Sequence, residues 1–228
     1  MARGGLLLCL AALWLAPAAR AQHVDEDLQL WAPVVLQATL KPVRLWVEVQ
    51  PRFDDDVGRL GVVLYRPALA WLTPVEGLSL WGGYAFVEQY DPSYAHENRA
   101  WEQVQYDHTP GASIGLRLIH RLRAEQRFLQ DRDPVAHRLR WMLRAQVPLA
   151  LDGKLQAIIS NEAFFNLNSV DGGPRAGFGE DRAFVGPGLQ LVENARLEVG
   201  YMAQYVNRQG DEDLLNHVAY FALRIDVP

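Results

Sequence analysis

The amino-acid sequence predicts an all-β protein: an antiparallel up-and-down transmembrane β-barrel of about 10–12 strands that follows a cleaved signal peptide. Two observations favour this fold class. After residue 26 the chain alternates polar and apolar residues over eleven segments, most of them 11 to 15 residues long. A period of two places successive side chains on opposite faces of a sheet. Strands of soluble proteins have about 5–6 residues, whereas a tilted membrane-spanning strand needs about 9–11, so the lengths favour a membrane-spanning barrel.

The first 21 residues have the features of a secretory signal peptide. Arg3 supplies a positive start, residues 6–15 form a short apolar stretch, and a small-x-small cleavage motif ends at Ala21. The apolar stretch is shorter than the roughly 20 residues that a membrane-spanning helix needs. We therefore expect cleavage after Ala21 and one barrel domain over residues 22–228. The single cysteine, Cys9, lies in the signal, which excludes thiol catalysis and cysteine-bound metals in the mature chain.

The alternating segments are joined by short and long turns in regular succession. We predict strands over residues 27–40, 43–53, 59–72, 78–90, 97–107, 112–128, 136–149, 154–166, 178–191, 195–207 and 213–227. Short turns such as 41–42 and long ones such as 167–176 follow the pattern of bacterial barrels, which keep their short turns in the periplasm. The ten segments after residue 42 form an even barrel. Segment 27–40 is left over, either as an additional strand or as part of a barrel of twelve.

The early strands already separate polar from apolar residues. In segment 43–53 one face carries Arg44, Glu48, Gln50 and Arg52, and the other carries Val43, Leu45, Val47 and Val49. Tryptophans recur through the strands, at Trp31, Trp46, Trp71, Trp81, Trp101 and Trp141. Amphipathic rings favour the headgroup level of a membrane, so we expect these residues at the interfaces, with ordinary core positions as the alternative.

The region from 112 to 146 also has helical features. Asp133 and Pro134 form a good helix start, and Leu118 and Leu122 fit helical spacing. The polar and apolar residues nevertheless separate at a period of two. In 136–149 one face carries Arg138, Arg140, Arg144 and Gln146, and the other Leu139, Trp141, Leu143, Ala145 and Val147. Together with the neighbouring strands, this separation favours strands over a helix.

The last three segments complete the pattern. Gly186, Pro187 and Gly188 interrupt the strand over 178–191, where we expect a bend or a bulge. In 195–207, Arg196, Glu198 and Gln204 alternate with Leu197, Val199, Tyr201, Ala203 and Tyr205. In 213–227 one face offers Leu215, Ala219, Phe221, Leu223, Ile225 and Val227. Apolar faces of this length need lipid or a second sheet, and polar faces rich in arginine need water or partners.

Five sequence strings, in their order and spacing, carry a family resemblance. They are residues 97–106, 120–128, 161–166, 180–186 and 197–201. With these strings the chain resembles an uncharacterised bacterial family, domain of unknown function 2490, whose members are similar to outer-membrane β-barrels. The resemblance extends over nearly the whole mature chain and is most specific at Arg-Leu-Arg-Ala-Glu-Gln-Arg. It implies a barrel in the outer membrane of a Gram-negative bacterium, and it implies no activity and no catalytic residues.

The densest cluster of charge lies on the polar faces of three successive strands. It comprises Arg121, Arg123, Glu125, Arg127, Arg138, Arg140, Arg144 and Glu162. These side chains would project into one lumen, where unpaired arginines are very costly unless acids or water lie beside them. We interpret the cluster as a structural ion-pair ladder that plugs a narrow barrel. A second hypothesis is a constriction that favours anions, because arginines outnumber acids in it.

Composition and motifs exclude several functions. The net charge of −5 offers no basic nucleic-acid footprint, and we predict no cofactor and no metal site. A Gly-x-Ser-x-Gly nucleophile motif is absent from the sequence. We predict a non-enzymatic outer-membrane protein that is either structural or a porin-like channel for small solutes, and whose partners are membrane lipid and the barrel-assembly machinery. Two alternatives stay open: a rim enzyme of the lipase or protease type, and a soluble periplasmic barrel or sandwich with inward apolar faces that binds an apolar ligand.

Overall fold

The computed structural model describes residues 24–90, 94–111, 114–208 and 212–227. The predicted signal peptide lies outside these ranges. The strands are β1 (Val24–Trp31), β2 (Val34–Leu40), β3 (Val43–Asp54), β4 (Arg59–Leu72), β5 (Leu78–Gln89), β6 (Ala95–Gly111), β7 (Leu116–Leu129), β8 (Ala136–Ala150), β9 (Leu155–Asn166), β10 (Gly177–Val192), β11 (Ala195–Val206) and β12 (Asp213–Val227). One 3-10 turn, Leu151–Gly153, joins β8 to β9. No helix in the described part of the chain is long and apolar enough to cross a membrane.

The strands close into a barrel. From β2 to β12 each strand pairs antiparallel with the next. β1 pairs in parallel with the first half of β12 and β2 with its second half, and both pair antiparallel with β3. β1 and β2 therefore occupy one position in the wall, interrupted at Ala32 and Pro33, where proline offers no N–H to the neighbouring strand. The predicted all-β, up-and-down barrel is confirmed, with eleven positions around its wall.

An odd number of positions forces one exception to antiparallel pairing. When strands alternate in direction around a closed barrel, the first and last can be antiparallel only if the count is even. Segment 27–40 supplies the eleventh position, which confirms the alternative of an additional strand over an even barrel of ten or twelve, and the closing pair is parallel. Val24 lies opposite Asp213 at the rim of the long loops, and Val227 lies opposite Ala38 at the rim of the short turns. The two ends of the described chain thus lie at opposite rims.

The region with helical features forms β7 and β8. These strands pair without a register shift from Arg117 opposite Gln146 to Arg127 opposite Ala136. A bulge expected around Gly186 is not there, because 186–188 pair in register with β9, although 186 and 187 have no partner in β11. A Cβ at Gly186 would lie 2.1 Å from the carbonyl oxygen of Val199, so this glycine permits close packing of β10 on β11. The register shifts of β10 fall near its two ends instead.

The two faces of the wall differ sharply in polarity. Outward side chains are mostly apolar and exposed, with Leu69, Ile159 and Val185 each more than half exposed. Inward side chains include many buried charges, and Glu125 and Glu198 are 2% and 1% exposed. Soluble proteins bury apolar side chains and keep acids at the surface. The barrel therefore has the inverse distribution, which places its charged residues where they can meet one another.

Candidate functional site

Charged side chains fill the middle of the barrel, and we call this set the interior network. Among the described residues it comprises the arginines Arg52, Arg66, Arg99, Arg121, Arg123, Arg127, Arg138, Arg140, Arg144, Arg182 and Arg224, and the glutamates Glu48, Glu97, Glu125, Glu162, Glu180 and Glu198. All eight residues of the cluster predicted from the sequence belong to it. Since eleven arginines face six glutamates, carboxylates alone do not balance the positive charge.

Glu125 is the central acid of the network. Arg138 donates to its Oε2 from Nε at 2.9 Å and from Nη2 at 2.5 Å, and Arg140 donates to its Oε1 at 2.6 Å. Arg123 approaches the same carboxylate at 3.8 Å. The register of β7 and β8 produces this arrangement, because Glu125 lies opposite Arg138 and Arg123 lies opposite Arg140. Three guanidinium groups thus surround one buried carboxylate.

Glu162 on β9 extends the network to a third strand. Its Oε1 accepts hydrogen bonds from Arg140 Nε at 2.9 Å and from Arg121 Nη2 at 2.7 Å. Arg140 therefore bridges Glu162 and Glu125. Six of the eight predicted residues meet in this group, and charge-assisted bonds of this kind are about twice as strong as neutral ones.

The other two predicted arginines pair with acids that the sequence reasoning did not include. Arg127 donates to Glu97 on β6 at 2.6 Å, a carboxylate that also accepts from Arg99 at 2.5 Å. Arg144 on β8 donates to Glu198 on β11 at 2.7 Å. Two strands separate β8 from β11, so this pair crosses the interior of the barrel. The lumen is narrow enough at this level for side chains of non-adjacent strands to touch.

Three aromatic rings inside the barrel have arginine guanidinium groups lying over them. The guanidinium carbon of Arg52 lies 3.6 Å from the ring centroid of Trp31, and that of Arg123 lies 3.9 Å from Trp101. Phe164 has Arg140, Arg182 and Arg138 at 4.6, 4.6 and 5.1 Å. A cation over a ring face is attracted by the ring quadrupole. These rings therefore offset part of the arginines' positive charge that the six glutamates leave unbalanced.

Part of the barrel interior is apolar. Trp31, Ile158, Phe184, Met202 and Val218 form a buried cluster, with Tyr220 packed against it. They belong to β1 and to β9–β12, next to the closing pair. Trp31 is thus shared between the apolar cluster and the arginines. Because it is 1% exposed, its expected place at a membrane interface is wrong, and the same holds for Trp101, which is 2% exposed.

The histidines of the described residues lie on outward faces or near rims. His96 packs on Phe86, His108 stacks on His120, and His217 Nδ1 is 2.7 Å from the hydroxyl of Tyr201. The described part of the chain contains no group of three or more His, Cys, Asp or Glu side chains placed to hold a metal ion. In the loop before β6, a hydrogen bond to Glu88 raises the pKa of Tyr94 above its ordinary value.

Comparison with known proteins assigns the chain to a family. The profile of the family described as "Protein of unknown function (DUF2490)" matches residues 28–215, which run from β1 into β12. The chain belongs to this family. A relative described as an uncharacterized protein of Methylorubrum extorquens is 33% identical over 222 residues, covering 96% of each chain. No solved structure matches this DUF2490 protein. The family resemblance predicted from the sequence is confirmed, and the matched range contains every residue of the interior network except Arg224.

Proposed function

We propose that this DUF2490 protein is an outer-membrane β-barrel, exported through a signal peptide cleaved after Ala21, whose interior network closes the lumen and stabilises the wall. Its surroundings would be membrane lipid, and the barrel-assembly machinery would insert it. The role proposed is structural. A barrel satisfies every backbone group within its wall, which is the condition for a β-protein to cross a bilayer.

The observation that supports the proposal is the inverted polarity of the wall. Val47, Leu69, Trp141, Ile159 and Val185 lie on five strands, and each is 45% exposed or more. Placing such side chains in lipid removes them from water, and each fully transferred aliphatic side chain gains about 1.5–3 kcal/mol. The charged faces lie inward. A soluble barrel that binds an apolar ligand would need the opposite orientation on every strand.

Contacts across the lumen support a closed barrel over a wide pore. Arg144 on β8 meets Glu198 on β11, with two strands between them. Arg182 on β10 lies 4.8 Å from the ring of Trp31 on β1, again with two strands between them. A large solute would have to break these contacts in order to pass. The surplus of arginine supports a second candidate function, a narrow path for small anions, because arginine rings select anions in pores.

The location can be tested by fractionating the native host and running the protein on a gel with and without boiling. We expect it in the outer-membrane fraction, with a folded form that migrates differently until it is boiled. Recovery in the soluble periplasm would contradict the proposal.

Planar-bilayer recordings of the refolded protein separate the two candidate functions. The absence of conductance supports the structural role, and small anion-selective currents support the anion path. Large non-selective currents, or currents that favour cations, would contradict both.

A further inference from the structure

Arg52 differs from the other arginines of the interior network in its partners. It forms no ion pair among the described residues. Its Nη2 donates to Gln50 Oε1 at 3.2 Å, and its guanidinium lies over the ring of Trp31. The Nε of Arg52 is buried and has no acceptor in the protein. One full positive charge and one N–H donor are therefore left without an acid.

Arg66 brings a second guanidinium to the same place. Its Nη2 donates to Gln50 Oε1 at 2.8 Å, so one amide oxygen is shared by Arg52 and Arg66. Arg66 also pairs with Glu48, yet its own Nε is buried without an acceptor. Two like charges thus converge on a neutral oxygen, each with an unused donor. The guanidinium of Arg52 lies over the ring of Trp31, and a guanidinium stacked in this way still has N–H donors at its edge, of which Nε has no acceptor.

Arg182 adds a third positive charge beside Trp31. It lies 4.8 Å from that ring, and its carboxylate partner is Glu180. The three arginines at Trp31 and Gln50 therefore face two carboxylates, Glu48 and Glu180. Burying an unpaired charge is costly, and a bound counter-ion removes that cost. Oxygen atoms of an oxyanion accept several N–H donors at once, which suits the guanidinium fork.

We propose that Arg52 and Arg66 form a binding site for a small oxyanion, of the sulfate or phosphate class, inside the barrel. The anion balances the positive charge beside Gln50 and accepts hydrogen bonds from the N–H groups of Arg52 and Arg66 that have no acceptor in the protein. This site goes beyond the proposed structural role, and its existence does not depend on where in the cell the barrel lies.

Isothermal titration calorimetry of the refolded mature protein in detergent tests the site. Sodium sulfate and sodium phosphate are titrated in turn, with sodium chloride at equal ionic strength as the reference. We expect saturable binding of one sulfate or phosphate per chain. Arg52→Gln should weaken it about tenfold or more, since hydrogen bonds to charged groups are among the strong ones. Arg196→Gln should leave it unchanged, because Arg196 donates to Gln156 and Gln190 outside the interior network.

A second variant separates loss of the site from loss of folding. Gln50→Glu places a carboxylate at the shared acceptor, where it can bridge Arg52 and Arg66 in place of the anion. We expect this variant to resist urea better than the wild type and to lose sulfate and phosphate binding. Three results would overturn the inference: no binding to the folded wild type, equal effects of Arg52→Gln and Arg196→Gln, or unchanged binding in Gln50→Glu. Fractionation of the host remains a separate test, so failure of the location and failure of the site are distinguishable.

Discussion

Replacing Glu125 by glutamine tests whether the interior network stabilises the barrel. Glu125 is 2% exposed and accepts three hydrogen bonds from Arg138 and Arg140, between 2.5 and 2.9 Å. Glutamine keeps the shape of the side chain but removes the charge and turns one acceptor into a donor. Arg138 uses one carboxylate oxygen and Arg140 uses the other, so the amide can serve only one of the two arginines.

The expected loss follows from these contacts. At least one arginine loses a charge-assisted hydrogen bond, worth about 1.5–3 kcal/mol, and a buried positive charge becomes uncompensated. Removing one partner of a buried ion pair costs about 3–5 kcal/mol in proteins. We therefore expect Glu125→Gln to lower the free energy of unfolding by about 3–5 kcal/mol. With a urea slope of about 3 kcal/mol per molar, the midpoint of unfolding falls by about 1 M or more.

Urea unfolding of the refolded protein in lipid vesicles, followed by tryptophan fluorescence, measures this loss. The matched control is Glu76→Gln in the exposed turn between β4 and β5, which we expect to change stability by no more than about 0.5 kcal/mol. If Glu125→Gln and Glu76→Gln shift the midpoint equally, water screens the interior charges. The interpretation of the cluster as a structural ion-pair ladder would then be wrong.

Two further predictions concern packing and topology. Gly83→Ala places a Cβ 2.3 Å from the ring of Trp101 and should destabilise the barrel by about 1–3 kcal/mol. At Gly82 a Cβ would meet open space, so Gly82→Ala should leave stability unchanged. Urea unfolding compares the two variants. In intact cells, a membrane-impermeant maleimide should label Glu26→Cys at the long-loop rim but label Glu76→Cys at the short-turn rim only after permeabilisation. Equal labelling of both cysteines would contradict the parallel closure of the barrel or its placement in the outer membrane.

The strands could be predicted closely from the sequence because the signal is local. A period of two needs only a few consecutive residues, so segments 43–53 and 59–72 differ from the observed strands by at most one residue at each end. The number of positions around the wall could not be predicted in this way. The place of segment 27–40 depends on its pairing with β12, almost 190 residues later, and a parallel closing pair has no short-range sequence pattern.

The predicted cluster and the observed network differ for a similar reason. Arg121 to Arg140 could be grouped because β7, β8 and β9 are consecutive and one face of each is polar. Glu198 was missed because its contact with Arg144 depends on the curvature of the closed wall. Glu97 could have been predicted as a member of the network, since Glu97 and Arg99 lie near the start of β6 on its inward face, and β6 directly precedes β7. Composition alone could not predict that the rings of Trp31 and Trp101 face the interior of the barrel.

The size of the barrel accounts for both the closed lumen and the surplus of arginine. Walls of about eight strands are filled by ordinary side chains, and those of about 16 leave a water channel. Eleven positions enclose an intermediate width, which long side chains can cross. Arginine suits this width because its guanidinium can donate to acids, amides and carbonyls while its face packs on an aromatic ring. Arg52 is held by a ring and an amide and adds a positive charge without an acid, and Arg123, also held by a ring and an amide, has only a share of Glu125. The same contacts that fill the lumen therefore leave it with more arginines than glutamates, and this excess of positive charge is what the proposed anion site at Arg52 and Arg66 would neutralise.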